Sequence, residues 1–193
     1  MGGMEIMNFQ EICRILGNPG MAEAGCFWVF DVRGTASQIR HKNFMNVFEE
    51  LNGYLGNNAI WIRELEKYSP SLRAYCEAVN SVNCHMIISP KDSIVLSRHY
   101  DIWNVYIRML CGSRRYEVEG KDIVLSKGQT LLIKKGEMHQ VFPIEPSITI
   151  NFGIEKEPVK FEPLISPYKD HPYSFAALFE DNAFLSSFKE ALL

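Results

Sequence analysis

Short runs of apolar and β-branched residues, separated by turn-forming residues, dominate the middle of the chain. These runs predict strands over residues 84–89, 94–109, 114–118, 123–125, 130–133, 140–142 and 148–152. Many short strands at regular spacing, with turn residues between them, are typical of an antiparallel sandwich or a small barrel. We find no internal repeat in the sequence, so the pattern favours a single β core over a repeat array.

The chain before about residue 82 has a mostly helical pattern that is interrupted. Apolar positions at helical spacing predict a helix over 9–16, which ends at the helix-breaking cluster Gly17-Asn18-Pro19-Gly20. Residues 26–32 predict a short strand. Ser69-Pro70 predicts the start of a helix that runs to about residue 78, because serine is a favoured N-cap and proline a favoured first residue. Another helix is predicted by an apolar stripe at i, i+3, i+4 and i+7, formed by Phe44, Val47, Phe48 and Leu51.

These patterns predict one structural domain in three parts. Residues 1–82 form an N-terminal helical cap with leading strands, residues 83–154 form the β core, and residues 155–193 form a C-terminal helical tail. The tail is predicted from apolar residues at helical spacing between 174 and 193. A tail that docks on its own chain is the favoured interpretation, and a homodimer contact is the alternative.

Composition limits the classes of function. A chain of 193 residues with 47% hydrophobic residues can bury a substantial core, which excludes disorder for most of it. The net charge of −3 and the lack of a Lys/Arg block argue against a nucleic-acid partner recognised by charge. No apolar run approaches the roughly 20 residues of a membrane-spanning helix. We therefore expect a soluble protein with neither a nucleic-acid nor a membrane partner.

Five cysteines without a CxxC motif fit neither a disulfide framework nor a zinc ribbon. The first residues also lack the basic and apolar regions of a signal peptide. We therefore expect reduced thiols and a cytoplasmic location.

The segment 97–110 contains the most informative polar residues. Side chains alternate between the two faces of a strand, so His99 and Asp101 share a face with Val105, Ile107 and Met109. Because the far end of this face is apolar, we predict that it is the interior one. A buried carboxylate without a partner costs several kcal/mol, and a bound metal ion would offset that cost. For this pair alone, a His–Asp hydrogen bond or an Asp that begins a turn is the favoured interpretation, and only a third candidate ligand favours a metal.

A third candidate ligand, His139, follows a strand and a glycine turn. The run from Gly128 to His139 resembles the second motif of the cupin superfamily, which has a Gly, five residues, usually a Pro, one residue, a Gly, two residues and a His. Lys134 stands where that proline usually is. The stretch from His99 to Gly112 resembles the first cupin motif. The resemblance implies a mainly β fold with flanking helices, a double-stranded β-helix or jelly-roll barrel.

The first motif of metal-binding cupins usually supplies a further Glu, and here Val105 stands near that place. The resemblance thus leaves His99, Asp101 and His139 as ligands, and two His with one carboxylate match the facial triad of non-haem Fe(II) oxygenases. The chain therefore resembles the JmjC-like 2-oxoglutarate oxygenases, and among them the protein hydroxylases. Histone demethylases of the same superfamily more often have Glu where this chain has Asp101, so demethylation is less favoured.

In that family a Lys or Arg just beyond the glycine binds the distal carboxylate of 2-oxoglutarate, and Arg114 matches the position. Strand alternation supports this assignment, because Arg114 shares a face with Tyr116 and Val118. An inward Arg can bind a carboxylate with two parallel hydrogen bonds. The alternative is an Arg that turns into solvent at the end of a hairpin.

Asn151 is a second, weaker candidate for co-substrate binding, because it shares a strand face with Thr149. That face lies opposite an apolar one and is either the pocket wall or a polar surface. The remaining histidines, His41, His85 and His171, have no partner at a ligand spacing, and we predict ordinary surface or core positions for them.

The resemblance implies an oxygenase that uses Fe(II), 2-oxoglutarate and O2, forms succinate and CO2, and hydroxylates a side chain of a protein or peptide. A small molecule is the alternative substrate. One alternative is a metal-dependent cupin of another class, such as an isomerase or a dioxygenase that needs no keto-acid. Another is a cupin that binds a ligand without catalysis. An inward Arg114 favours the first interpretation.

Overall fold

The computed structural model describes residues 9–40 and 50–155. Its strands are β1 (Phe27–Phe30), β2 (Ala36–Gln38), β3 (Ile60–Ile62), β4 (Ser81–Ser89), β5 (Asn104–Cys111), β6 (Ser113–Val118), β7 (Lys121–Ser126), β8 (Thr130–Ile133), β9 (His139–Pro143) and β10 (Ser147–Ile154). Its helices are α1 (Phe9–Leu16), α2 (Pro19–Glu23), α3 (Leu65–Tyr68) and α4 (Pro70–Ala78), and residues 50–54 are also helical.

The strands of the described residues form two antiparallel sheets. The large sheet has the order β2-β1-β3-β4-β10-β5-β8, and the small sheet has the order β7-β6-β9. Met109 and Ile133 from the large sheet pack with Tyr116 and Leu125 from the small sheet in one buried cluster. This cluster is the interior of the barrel, and the mainly β, antiparallel fold expected from the sequence is confirmed.

The opposite face of the large sheet carries a second core. Alternate residues of β10 (Ile148, Ile150 and Phe152) pack here with helical residues such as Ile12 and Leu72. Their neighbours in the sequence point into the barrel instead, because side chains alternate along a strand. A strand with both faces covered explains why every residue of β10 is buried.

Helices α1 and α4 confirm the predicted helices. The Ser69 hydroxyl accepts a hydrogen bond from the Leu72 backbone N–H, and Pro70 is the first helical residue, as the sequence indicated. The same hydroxyl donates to Glu11 of α1 over 2.7 Å, which connects the two helices. None of the helices in the described ranges is long and apolar enough to cross a membrane.

The structure corrects two strand predictions. The strand expected over 94–109 begins only at Asn104, and His99 forms an isolated bridge with His139 instead. The N-terminal part contains β2 and β3, which the sequence did not predict, and β3 pairs with β4 to extend the large sheet.

Leu51 of the predicted apolar stripe is buried. The other three members of the stripe, the tail over 174–193, His41 and His171 lie outside the described residues. The three-part division of the chain stays a prediction.

Candidate functional site

Three side chains from two segments converge at the mouth of the barrel. His99 and Asp101 lie in the loop before β5, and His139 begins β9. The backbones at His99 and His139 exchange two hydrogen bonds, of 3.0 and 2.8 Å, which fix the two segments side by side. One Asp101 carboxylate oxygen lies 3.5 Å from His139 Nε2, and the other lies 3.8 Å from His99 Nε2. The three candidate ligand atoms all lie within 4.8 Å of one another.

The backbone sets the tautomer of both imidazoles. His99 Nδ1 lies 2.8 Å from the Ser97 carbonyl oxygen, and His139 Nδ1 lies 3.0 Å from the Glu137 carbonyl oxygen. Because a carbonyl oxygen can only accept, each Nδ1 carries the proton and donates it. Each Nε2 then keeps its lone pair, on the side of the ring that faces Asp101. Histidines that bind metals commonly have this arrangement.

The electrostatics of the site favour a cation. Burial lowers the pKa of His99, and the neighbouring His139 lowers it further, although the Ser97 carbonyl and Asp101 act in the opposite direction. Two neutral nitrogens and one carboxylate oxygen match the donor set of two His and one carboxylate that binds divalent transition metals. The residues present therefore fit a metal ion.

One side of the triad is open. The side chain of His139 is 5% exposed, whereas those of His99 and Asp101 are 26% and 32% exposed. The turn between β8 and β9 supports the loop from the other side, because Gly136 N donates to the Asp101 carbonyl over 3.0 Å. Access from solvent is thus through the side of His99 and Asp101.

Arg114 is buried in the same barrel, 1% exposed. Its guanidinium donates to the hydroxyls of Ser147, Thr149 and Ser89 over 2.8, 3.0 and 3.0 Å, and to the Ile87 carbonyl over 2.9 Å. We call the three hydroxyl residues, Ser89, Ser147 and Thr149, the hydroxyl cage. All of them are fully buried.

No carboxylate of the described residues pairs with Arg114. Burial lowers the pKa of its guanidinium, while the neighbouring Tyr116 acts in the opposite direction. A buried cation held only by neutral oxygens is costly, and an anionic ligand would reduce that cost. The sequence placed Arg114 on the interior face with Tyr116 and Val118, and all three side chains are buried.

Comparison with known proteins shows the fold. No family model matches the sequence, and no curated protein does. The structure resembles YcfD, a ribosomal oxygenase from Escherichia coli, with a TM-score of 0.54 and 15% identity over 84% of this chain and 45% of YcfD. For the YcfD complex with cobalt and succinic acid, the TM-score is 0.57 and the identity 13%, over 93% of this chain and 49% of YcfD. The chain has a cupin fold.

The expected double-stranded β-helix is therefore confirmed. A cupin superfamily protein from Desulfitobacterium hafniense is also similar, with a TM-score of 0.37 and 10% identity over 40% of this chain and 70% of that protein. This chain spans just under half the length of YcfD.

Asn151 lies on the interior wall of the cupin barrel, 6% exposed, so the polar-surface interpretation is wrong. Its Nδ2 lies 3.1 Å from Nε2 of His85, the residue opposite it on β4. Its Oδ1 is buried and has no hydrogen-bond partner in the described part of the chain. Burial, reinforced by the charge of Arg63, lowers the pKa of His85 to about 4, so this imidazole is neutral and accepts the hydrogen bond.

The sequence did not predict the hydroxyl cage. Ser89 and Ser147 stand at the ends of strands and next to prolines, where serine is typical of turns. Their inward direction follows from the antiparallel register, which pairs Ser147 with Ser89. Strand alternation from Thr149 back to Ser147 was the signal that could have identified them.

Proposed function

We propose that this chain is an Fe(II)- and 2-oxoglutarate-dependent oxygenase that hydroxylates a side chain of a protein or peptide. The observation that carries the proposal is the convergence of His99, Asp101 and His139, with both Nε2 lone pairs directed at the carboxylate. The proposal assigns these three residues as the metal ligands. Arg114 is assigned to the co-substrate. Asn151, the weaker co-substrate candidate, is assigned to the substrate side instead, because its Nδ2 is used by His85 and its unpartnered Oδ1 can only accept a hydrogen bond, which a carboxylate cannot donate.

The protein's part in the metal chemistry is to hold an open three-ligand site. Three ligands on one face leave positions for a co-substrate and O2. When bound, Fe(II) supplies the redox chemistry that couples decarboxylation of 2-oxoglutarate to oxidation of the substrate, with succinate and CO2 as products. The exposed side of His99 and Asp101 gives the substrate its access.

Arg114 holds the far carboxylate of 2-oxoglutarate. Its guanidinium is a buried charge that no acid of the described residues neutralises, and its planar fork suits a carboxylate. The hydroxyl cage contributes in two ways. It keeps the guanidinium in place, and its O–H groups can rotate to donate to the incoming anion.

The likeness to YcfD supports a metal site and a carboxylate pocket. YcfD is a ribosomal oxygenase, and one of its structures is a complex with cobalt and succinic acid. Succinic acid is the dicarboxylic acid that remains when 2-oxoglutarate is oxidatively decarboxylated.

The decisive experiment is aerobic incubation of the protein with Fe(II) and 2-oxoglutarate, with succinate measured by NMR. We expect succinate above the no-enzyme control, formed slowly even without the substrate. Asp101→Ala should abolish succinate formation and weaken metal binding by more than the roughly 10–100-fold that loss of an outer-shell partner costs. Asp122→Ala is the matched control, because Asp122 pairs with Arg115 on the outside of the small sheet.

The variant Arg114→Ala tests co-substrate binding independently of metal binding. We expect this variant to need a higher 2-oxoglutarate concentration for half-maximal turnover, with metal affinity unchanged. Turnover by Asp101→Ala at the wild-type rate, or no succinate from the Fe(II)-loaded wild type, contradicts the proposal.

A further inference from the structure

A second cationic group stands on the interior side of the large sheet. The guanidinium of Arg63, just after β3, lies 4.7 Å from the ring centre of Trp61 and 5.3 Å from that of Trp28. The two indoles lie 6.1 Å apart, and Phe30 stacks on Trp61 at 6.0 Å. Trp28 and Trp61 are directly opposite each other in the pairing of β1 with β3. The rings form a platform that holds the guanidinium in a fixed place.

Within residues 9–40 and 50–155, the Arg63 side chain has neither an acid partner nor a hydrogen bond. Arg115 is a useful contrast. It also stacks on an aromatic ring, with Phe142 at 4.0 Å, but its guanidinium pairs with Asp122 over 2.7 Å. An Arg that is stacked and unpaired keeps its planar edge free for an anion.

Two buried polar atoms, one in the platform itself and one joined to it through His85, also lack partners among the described residues. They are Trp61 Nε1, which can only donate, and Asn151 Oδ1, which can only accept. Such atoms are rare in native structures, and each is a candidate for contact with a ligand. His85 connects the group: its ring meets the Trp61 ring edge-on at 5.5 Å, and its Nε2 binds Asn151.

This group belongs to the barrel interior. Trp61 pairs with Ile87, and Ile87 pairs with Thr149 of the hydroxyl cage, so one row of side chains runs from Trp61 to the cage. Arg63 comes two residues after Trp61 and therefore lies on the same face. Arg63 and Trp61 are half-buried, so solvent reaches the platform.

We propose that Arg63, Trp61 and Asn151 form a substrate subsite that binds an acidic residue of a peptide. The proposal rests on the proposed function, for which it names the substrate class. The carboxylate of the Asp or Glu accepts from the Arg63 guanidinium and the Trp61 indole N–H. A backbone N–H of the same peptide donates to Asn151 Oδ1. A free dicarboxylate can accept from Arg63 and Trp61, but it cannot donate to Asn151 Oδ1, because it has no N–H.

The test measures peptide binding to the full chain in the presence of a chelator, so that no probe can bind a metal. The probe is the blocked tripeptide acetyl-Ala-Asp-Ala-amide. The chain contains three tryptophans, so an ¹⁵N spectrum resolves three indole N–H signals, and Trp61→Phe assigns one of them. We expect the Trp61 signal to shift saturably with the Asp peptide, and the affinities read from the same signal to be about tenfold weaker for acetyl-Ala-Asn-Ala-amide and for succinate.

Arg63→Gln should weaken binding of the acidic peptide about tenfold, while Arg115→Gln, the stacked but paired control, should leave it unchanged. Arg63→Lys keeps the charge and should recover only part of the affinity. Trp61→Phe keeps an aromatic ring but removes the indole N–H. It is the second test of the subsite if Arg63→Gln does not fold. In this variant, binding followed by calorimetry should weaken severalfold.

Equal binding of the Asp and Asn peptides, or wild-type affinity in Arg63→Gln, overturns the proposal. Succinate that shifts the Trp61 signal with the same affinity as the Asp peptide also overturns it, because the subsite would then take a free acid, whereas succinate bound at Arg114 does not require Trp61. The oxygenase proposal is judged separately by succinate formation, which does not depend on this peptide. Either can therefore fail while the other stands.

Discussion

Buried charge and buried polar atoms distinguish a few side chains of this barrel from the rest. Arg114 is 1% exposed and is held by the hydroxyl cage. An interior of apolar residues would be easier to stabilise, because the interactions of a buried ion often do not offset the free energy needed to remove it from water. This cost supports the role proposed for Arg114, the binding of an anionic ligand.

His85 should make folding stability depend on pH. Its pKa is about 4 in the folded chain, against about 6.5 in the unfolded chain. As the pH falls below 6.5, the unfolded chain takes up a proton that the folded chain does not, so the stability present above pH 6.5 is lost progressively toward pH 4. At pH 5 this loss is about 2 kcal/mol.

Urea denaturation at pH 7 and pH 5 checks this expectation. We expect His85→Gln, which keeps a hydrogen-bonding group opposite Asn151, to show a smaller loss of stability between the two pH values, by about 2 kcal/mol. The same pH dependence in variant and wild type would mean that His85 is not held neutral.

At the residue scale, strand alternation predicted which side chains face inward. It placed Arg114 with Tyr116 and Val118, and all three are buried. Alternation cannot show whether a polar face lines a pocket or meets solvent, because that depends on the position of the opposite sheet. For this reason the sequence left two interpretations for Asn151, a pocket wall and a polar surface. The Arg63 platform was not predicted either, because Trp28 and Trp61 are distant in sequence and meet only through the pairing of β1 with β3.

At the scale of elements, the connection between β5 and β6 carries the chain from the large sheet to the small one. Gly112 makes this turn with φ +69°, and a Cβ added there would lie 1.9 Å from the Pro146 carbonyl oxygen. Gly128 also has a positive φ, of +82°, but a Cβ there would meet nothing within 4 Å. The two glycines thus share a strained backbone region and differ in the space around them.

Gly112→Ala should therefore destabilise the fold much more than Gly128→Ala. We expect about 1–2 kcal/mol for Gly128→Ala from backbone strain alone. For Gly112→Ala we expect at least about 3 kcal/mol, because the backbone near Pro146 must also move. Chemical denaturation of both variants measures the difference, and equal losses would contradict the close contact.

The strand predictions failed where neighbouring segments decide the structure. Residues before Asn104 alternate like a strand, yet the backbone of His99 pairs with His139 in an isolated bridge and no ladder continues from it. Strands β2 and β3 have three residues each, which is too short for a period of two to be recognised. Helix α4 was predicted well, because its capping residues are adjacent in sequence.

At the scale of the whole molecule, the candidate metal site joins the two sheets. His99 and Asp101 precede β5 of the large sheet, and His139 begins β9 of the small sheet. A metal bound only by the folded chain stabilises it by about 2.7 kcal/mol at 100 times the dissociation constant. The motifs predicted this convergence, whereas the pattern of apolar residues alone could not.

We expect saturating Co(II) to raise the midpoint of thermal unfolding by about 5–10 °C. Asp101→Asn keeps the size of the side chain but removes its charge, and it should lose most of this shift. A full shift in Asp101→Asn would show that the stabilising cobalt binds elsewhere. Differential scanning calorimetry with and without the metal makes the comparison.

The Nδ1 contacts of the two imidazoles have an evolutionary consequence. Both orienting acceptors are main-chain oxygens two positions earlier, at Ser97 and Glu137. Mutation changes side chains and leaves these oxygens in place, so drift at either position preserves the direction of the rings. Descendants of this barrel could therefore exchange the side chains at 97 and 137 while they inherit the same ligand geometry.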